Sequence, residues 1–169
     1  MNDSDLLISN NGGTFRIAVA GRANFEYAVR LRDIAKGSSA VNGVAFDLKN
    51  CVAMDSSFMG VLSMLALRLI REKKGQVELY NASENLQKLL GELGVLKLFV
   101  LKEGGIFEDA NVSGVSAEKA GALDTARTVL EAHQTLVDAA PENEKKFSAV
   151  ISYVSSDLER LEKENNKSE

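Results

Sequence analysis

The chain has 169 residues, enough for one domain with an accessory segment. Apolar residues make up 45% and charged residues 26%, with a formal net charge of −4, so a real core is available and no cationic face for phosphate backbones stands out. A single cysteine, Cys51, and a single histidine, His133, rule out an internal disulfide framework and any multi-Cys or His-rich metal site.

The first residues, Met1-Asn2-Asp3-Ser4-Asp5, are acidic and lack the cationic and apolar regions of a signal peptide. The uncharged apolar stretch 56–67 is much shorter than the roughly 20 residues of a membrane helix. A cytoplasmic protein is expected, with no nucleic acid bound and no membrane insertion.

In 14–21, Phe15, Ile17 and Val19 alternate with Arg16, Ala18 and Ala20, a period-two strand signal. Asn11-Gly12-Gly13 before it is turn chemistry, and 6–8 can pair with it as a hairpin. In 24–36, Phe25, Ala28, Val29, Leu31 and Ala35 follow a helical period, with Asn24 as N-cap. A short buried strand is expected at 44–48. A helix over 57–74 ends in Arg68, Arg71, Lys73 and Lys74 before Gly75, which suits the dipole and the C-cap. Those cations read as a solvated helix end or as a dock for an acidic partner.

A strand at 76–80, a short helix at 84–91 capped by Ser83 and a strand at 96–101 complete the order ββαβαβαβ. Strand–helix–strand alternation requires crossovers, so the sheet is expected to be small, mixed and mostly parallel, with helices packed on it. Residues 1–101 form this domain. Residues 102–117, with Gly104, Gly105, Ser113, Gly114 and Ser116, read as a linker; no phosphate-cradling glycine motif occurs there.

Residues 118–169 form a helical extension. Leu123, Val129, Leu130, Leu136 and Val137 mark one helix, which breaks at Ala140-Pro141. Pro141-Glu142-Asn143-Glu144 opens the next. Its apolar residues Phe147, Ile151, Val154, Leu158 and Leu161 step by four and three. This seam either folds back as an αα-hairpin or zips to a second copy as a homodimer. The α/β domain with a C-terminal helical hairpin is the expected fold class.

The stretch that carries the most chemistry runs from Phe46 to Gly60. A strand ends, a loop follows, and Asp55-Ser56-Ser57 opens a long amphipathic helix, with Ser56 or Ser57 as the natural N-cap. His133 reads as a helix-packing residue, because no acid or nucleophile lies at a recognisable spacing from it. Cys51 reads as a small buried residue. No nucleophile–base pair, metal cluster or cofactor motif is visible, so neither catalysis, a cofactor nor a metal is expected.

Over about residues 6–101 the sequence resembles the STAS family, the sulphate-transporter and anti-sigma-factor-antagonist domain. Val19-Ala20-Gly21-Arg22-Ala23-Asn24, the strand-loop from Phe46 to Leu48, and Met54-Asp55-Ser56-Ser57-Phe58-Met59-Gly60 carry the resemblance. Gly75, Leu86-Gln87-Lys88-Leu89-Leu90 and Leu93-Gly94 extend it. The family's loop commonly reads Asp-Ser-Ser-Gly, and two positions depart from its pattern. Asn24 stands where the family usually has Asp. Phe58 stands where it has Gly, and either crowds a kinase's approach or supplies an apolar anchor for a partner.

The resemblance implies a non-enzymatic antagonist that binds an anti-sigma factor which is also a serine kinase. Phosphorylation at Ser56 would release that partner, and a serine phosphatase would reset it. Asp55, Ser56, Ser57, Phe58 and Met59, with Asn24 and Phe25, are the expected binding surface. A phosphate adds about −1.5 to −2 charge, and a helix N-terminus favours it by about 0.3–1 kcal/mol. A binding switch is therefore expected rather than an unfolding switch. The alternative is a constitutive STAS subunit, of an ABC transporter or a sensory scaffold.

Overall fold

A hairpin opens the chain. Gly12 and Gly13 sit at φ 61° and 90°, where a Cβ is disfavoured, and Asn10 Oδ1 accepts from Gly13 N at 2.9 Å. This turn joins β1 (Asp5–Asn11) to β2 (Thr14–Ala23) in antiparallel register, with Ile8 opposite Ile17. The computed structural model describes residues 5–105, 113–115 and 120–168.

The chain continues through α1 (Phe25–Lys36), β3 (Gly43–Met54), α2 (Ser56–Arg71), β4 (Val77–Tyr80), α3 (Glu84–Glu92), a 3-10 turn (Leu96–Leu98) and β5 (Phe99–Lys102). Then come β6 (Ser113–Val115), α4 (Ala122–Ala139), a second 3-10 turn (Pro141–Asn143) and α5 (Glu144–Lys167). Among the described residues, six strands lie in the order β5-β4-β3-β2-β1-β6. The pairs from β2 to β5 are parallel, and β1 is antiparallel to both neighbours. The expected mixed, mostly parallel sheet with a C-terminal helical hairpin is what forms.

Phe15, Ile17 and Val19 of β2 and Val44, Phe46 and Leu48 of β3 point into one core, which they share with Leu31 of α1, Leu62 and Leu65 of α2, and Leu86 and Leu90 of α3. Alternation puts Arg16, Ala18 and Ala20 on the opposite, open face. α2 is buried on nearly every side. The sheet lies on one side of it and α4 on the other, and Ala132 and Leu136 of α4 complete the core.

Several expectations change, among them the helix expected over 57–74, which ends at Arg71 with Glu72 as its C-cap. The strand expected at 44–48 runs on to Met54, because β2 continues beyond Gly21 and offers it a paired neighbour. Two register shifts in that pairing, at Ala18/Ala20 and Gly21/Arg22, hide the period in the sequence. The strand expected at 96–101 begins only at Phe99, since Val95 N still bonds Leu90 O to finish α3. Within the expected linker, Ser113–Val115 pairs with Leu6–Ile8 as a sheet edge. Other linker residues (106–112 and 116–117) lie outside the described residues.

Of the late cations, Arg68 is buried rather than solvated. Its guanidinium donates to the carbonyls of Ile34, Ala35 and Ser39, and so satisfies the C-terminal end of α1.

The helical extension folds back, with α4 against α2 and α1, and α5 against α4. Phe147, Ile151, Val154, Leu158 and Leu161 are half-buried along this hairpin. Its turn is fixed by buried Asn143, whose Nδ2 donates to Leu93 O at 2.9 Å and to Leu136 O at 2.8 Å.

Candidate functional site

The site is built at the ends of β2 and β3. Because those strands are parallel, both chains leave the sheet on the same edge and open helices there. Asn24 caps α1, its Oδ1 accepting from Glu26 N at 3.0 Å. Asp55 caps α2 and reaches α1 as well. Its Oδ1 accepts from Phe58 N at 2.8 Å, and its Oδ2 accepts from Phe25 N at 2.9 Å. Asp55 N in turn donates to Ala23 O. One carboxylate therefore ties two helix N-termini together, where positive dipole ends favour its charge. Burial nevertheless pushes the Asp55 carboxyl above its ordinary value, although the N–H groups of Phe58 and Phe25 and the nearby His133 oppose that rise.

The cap is thus Asp55, not Ser56 or Ser57 as the sequence suggests. The longer reach of the aspartate matters here: it serves Phe58 N and Phe25 N together, which a seryl hydroxyl cannot. Ser56 becomes the first residue of α2, with its hydroxyl free for another partner.

That partner is His133. Ser56 Oγ lies 2.8 Å from His133 Nε2, and His133 Nδ1 lies 2.6 Å from Val129 O. A carbonyl only accepts, so Nδ1 carries the proton. In the neutral ring Nε2 is then the acceptor, and the Ser56 hydroxyl donates to it. The ring is 3% exposed and meets Phe147 of α5 edge-on, with centroids 4.9 Å apart. Sequence reading found no partner for His133 because 77 positions separate the pair. The fold-back of α4 brings them together.

A hydroxyl, an imidazole and an orienting acceptor in line are the parts of an activated nucleophile. In this structure they also join α2 to α4. The imidazole is sealed beneath Phe147, and the Asp55 carboxylate occupies the α2 N–H group of Phe58 that could have faced an oxyanion.

The remaining site expectations divide. Phe25 is 42% exposed, and Asn24, Asp55 and Ser56 are half-buried on the same edge. Ser57, Phe58 and Met59 point inward, with Phe58 at 0% exposure. Phe58 is therefore a core residue in this conformation and does not present an apolar anchor to a partner. Val52, which the sequence did not single out, is 70% exposed on β3 just before the site. Cys51 is buried as expected, and burial pushes its thiol up.

Gly60 is placed so that a Cβ would run into the carbonyl and Cβ of Ala132. The bare α-carbon lets α4 lie directly on α2. Among the described residues, no group of three or more His, Cys, Asp or Glu is placed to hold a metal ion, and no helix is long and apolar enough to cross a membrane. A cavity of about 680 Å³ lined by Thr14, Arg16, Val44, Lys74 and Glu78 lies at the opposite ends of the strands, away from Ser56.

No family model and no curated protein matches the sequence. A solved structure does: the anti-sigma factor antagonist SpoIIAA in its unphosphorylated form superposes with a TM-score of 0.50 at 20% identity. The match covers 91% of that chain and 63% of this one.

The fold is STAS-like. The STAS-like unit accounts for nearly all of the antagonist but leaves more than a third of this chain unmatched. At 20% identity the likeness speaks for the fold; what the STAS-like edge does here has to come from its own residues.

Proposed function

We propose that this chain is a STAS-type regulator that works by binding a protein partner, and that Ser56 is its phosphorylation switch. The partner class is an anti-sigma factor acting as a serine kinase, with a serine phosphatase as the resetting enzyme. This reading places the protein in the cytoplasm and gives it no catalysis, metal or cofactor of its own.

The observation that carries it is the position of Ser56. It is the first residue of α2, it is released from capping by Asp55, and it shares an edge with exposed Phe25. A phosphate there would meet a helix N-terminus, so α2 tolerates it, and the added charge would fall on whatever docks at that edge. Asn24, Phe25, Asp55, Ser56 and Val52 are the residues that a partner would touch in this conformation. In the transfer, Ser56 Oγ forms the new P–O bond, the hydroxyl proton passes to the kinase's base, and ADP leaves. The phosphatase then adds water across the ester.

The second reading is a constitutive interaction subunit, as in a transporter or sensory scaffold. The Ser56–His133 bond and the α4 cover favour it, because both keep the hydroxyl occupied. Peptide-resolved mass analysis after incubation with cell lysate and ATP separates the two. An added phosphate that maps to Ser56 and disappears in Ser56→Ala is the expected result. No addition, under conditions that modify a positive-control STAS protein, would decide for the constitutive subunit. A homodimer through α5 is a separate expectation, checked by sedimentation of the full chain.

A further inference from the structure

We propose that the α4–α5 hairpin is a latch closed over Ser56, and that a phosphate on Ser56 opens it. The inference rests on the phosphorylation reading above and adds what the phosphate does inside this molecule.

The cover meets α2 through small and polar residues as well as apolar ones. Ser56, Gly60 and Ser63 of α2 fall on one helical face by their spacing of four and three. At two of these positions the contact with α4 is direct: Ser56 meets His133, and Gly60 lies against Ala132. The residues that α4 buries are Ala126, Thr128, Ala132, His133 and Leu136, and Leu136 is the one large aliphatic among them. No residue of α5 is fully buried. Lifting the hairpin would uncover the apolar face of α2 that Ala132 and Leu136 cover, while the sheet side of α2 stays packed.

Polar groups hold it as well. His133 takes the Ser56 hydroxyl proton in a hydrogen bond, Glu131 pairs with Arg32 and Lys36 of α1, and Asn143 grips the carbonyl of Leu93. Of these contacts, the first is the one that a kinase can edit.

A phosphoester at Ser56 has no proton to donate. The Nδ1 proton of His133 is already committed to Val129 O, so a ring without a proton on Nε2 turns that lone pair toward the phosphate oxygens. The half-buried Asp55 carboxylate lies alongside, and a second anion there is repelled and desolvated. The edge-on contact of His133 with Phe147 passes that displacement on to α5. The strain therefore falls on the α4 side of the site, and the sheet has no part in it.

The test is amide hydrogen exchange of the full chain with phosphoserine installed at position 56 by genetic encoding, beside the unmodified chain. The amides of α4 should exchange at least about tenfold faster, while those of β2 and β3 keep their rates. Ser56→Ala should give a smaller change in the same region, about two- to tenfold. Ser56→Asp supplies a second anion-bearing chain if the phosphoserine form folds poorly. Unchanged α4 exchange, slower α4 exchange through a protonated His133 pairing with the phosphate, or equal acceleration in β3 would each overturn the latch. Because the phosphate is installed directly, this outcome is independent of whether any cell phosphorylates Ser56. Failure to find that modification in cells would sink the switch reading alone.

Discussion

Gly60 and Gly91 are both helical glycines, yet their surroundings give them opposite roles. A Cβ on Gly60 would strike the backbone of Ala132, which cannot rotate away, so α2 and α4 would have to part. Gly60→Ala should lower stability by about 1–3 kcal/mol in urea melts. A Cβ on Gly91 would meet only Leu96 Cδ2 at 3.9 Å, so Gly91→Ala should add about 0.5–1 kcal/mol through helix propensity. Asp55 yields a pH-dependent prediction. Its folded carboxyl titrates above the ordinary value of 3.8, so the folded chain takes up a proton more readily than the unfolded one. The cost of its charge is thus fully present at neutral pH and is relieved as the pH falls toward the ordinary value. Asp55→Asn keeps a capping oxygen and removes the charge. Its stability relative to the parent should therefore be most favourable near neutrality and decline in acid, as read from melts across that range; a flat difference would contradict the burial argument.

At the scale of elements, the joint between hairpin and sheet depends on Asn143. Its amide serves two buried carbonyls, Leu93 O and Leu136 O. Asn143→Ala strands Leu93 O, while Leu136 O keeps its bond from Ala140 N, and should cost about 1–3 kcal/mol, measurable by thermal or urea unfolding. The sequence marked the turn clearly, since Pro141 and the acids after it open a helix, but it did not mark the buried amide. The same division runs through the molecule. Elements with a clean period, such as β2 with Phe15, Ile17 and Val19, were legible, and the Asp55-Ser56-Ser57 stretch was placed at a helix start. The far end of β3 was hidden by its register shifts, and the Ser56–His133 pair by the distance in sequence between its members. One signal for the α4 cover was present. The run 56–67 carries no charge on any face, and a helix that is apolar all round is buried on both sides. Measured only against a membrane span, it was too short. Measured against a surface helix, it called for a second layer, and with that layer Phe58 and Met59 could not have been a docking surface.

At the scale of the whole chain, two carboxylates respond to acid in opposite directions at two different joints. Asp55 joins α1 to α2, and protonation relieves it. Glu131 joins α4 to α1. Burial works against its charge, but the hydrogen bonds from Arg32 (2.7 and 3.1 Å) and the ion pair with Lys36 (3.0 Å) outweigh that and hold its carboxyl below the ordinary 4.5. A folded pKa below the unfolded one gives stability that is full above the ordinary value and is lost as pH falls through the folded one. The Glu131 side chain is 25% exposed, so the pair is partly screened, and about 1 kcal/mol is a fair size for it. Mild acid should therefore loosen the hairpin's grip while the α1–α2 joint holds. The core that spans β2, β3 and β4, with Phe46, Leu62 and Leu79 at 0% exposure, has no carboxylate to lose in acid. Hydrogen exchange at pH about 3.5 and about 7, corrected for the intrinsic rates, should show α4 losing protection in acid relative to β3. Glu131→Gln should show that loss already at neutral pH, with little further change in acid. If α4 and β3 instead lose protection together, the hairpin is no separate unit, and the molecule opens as one.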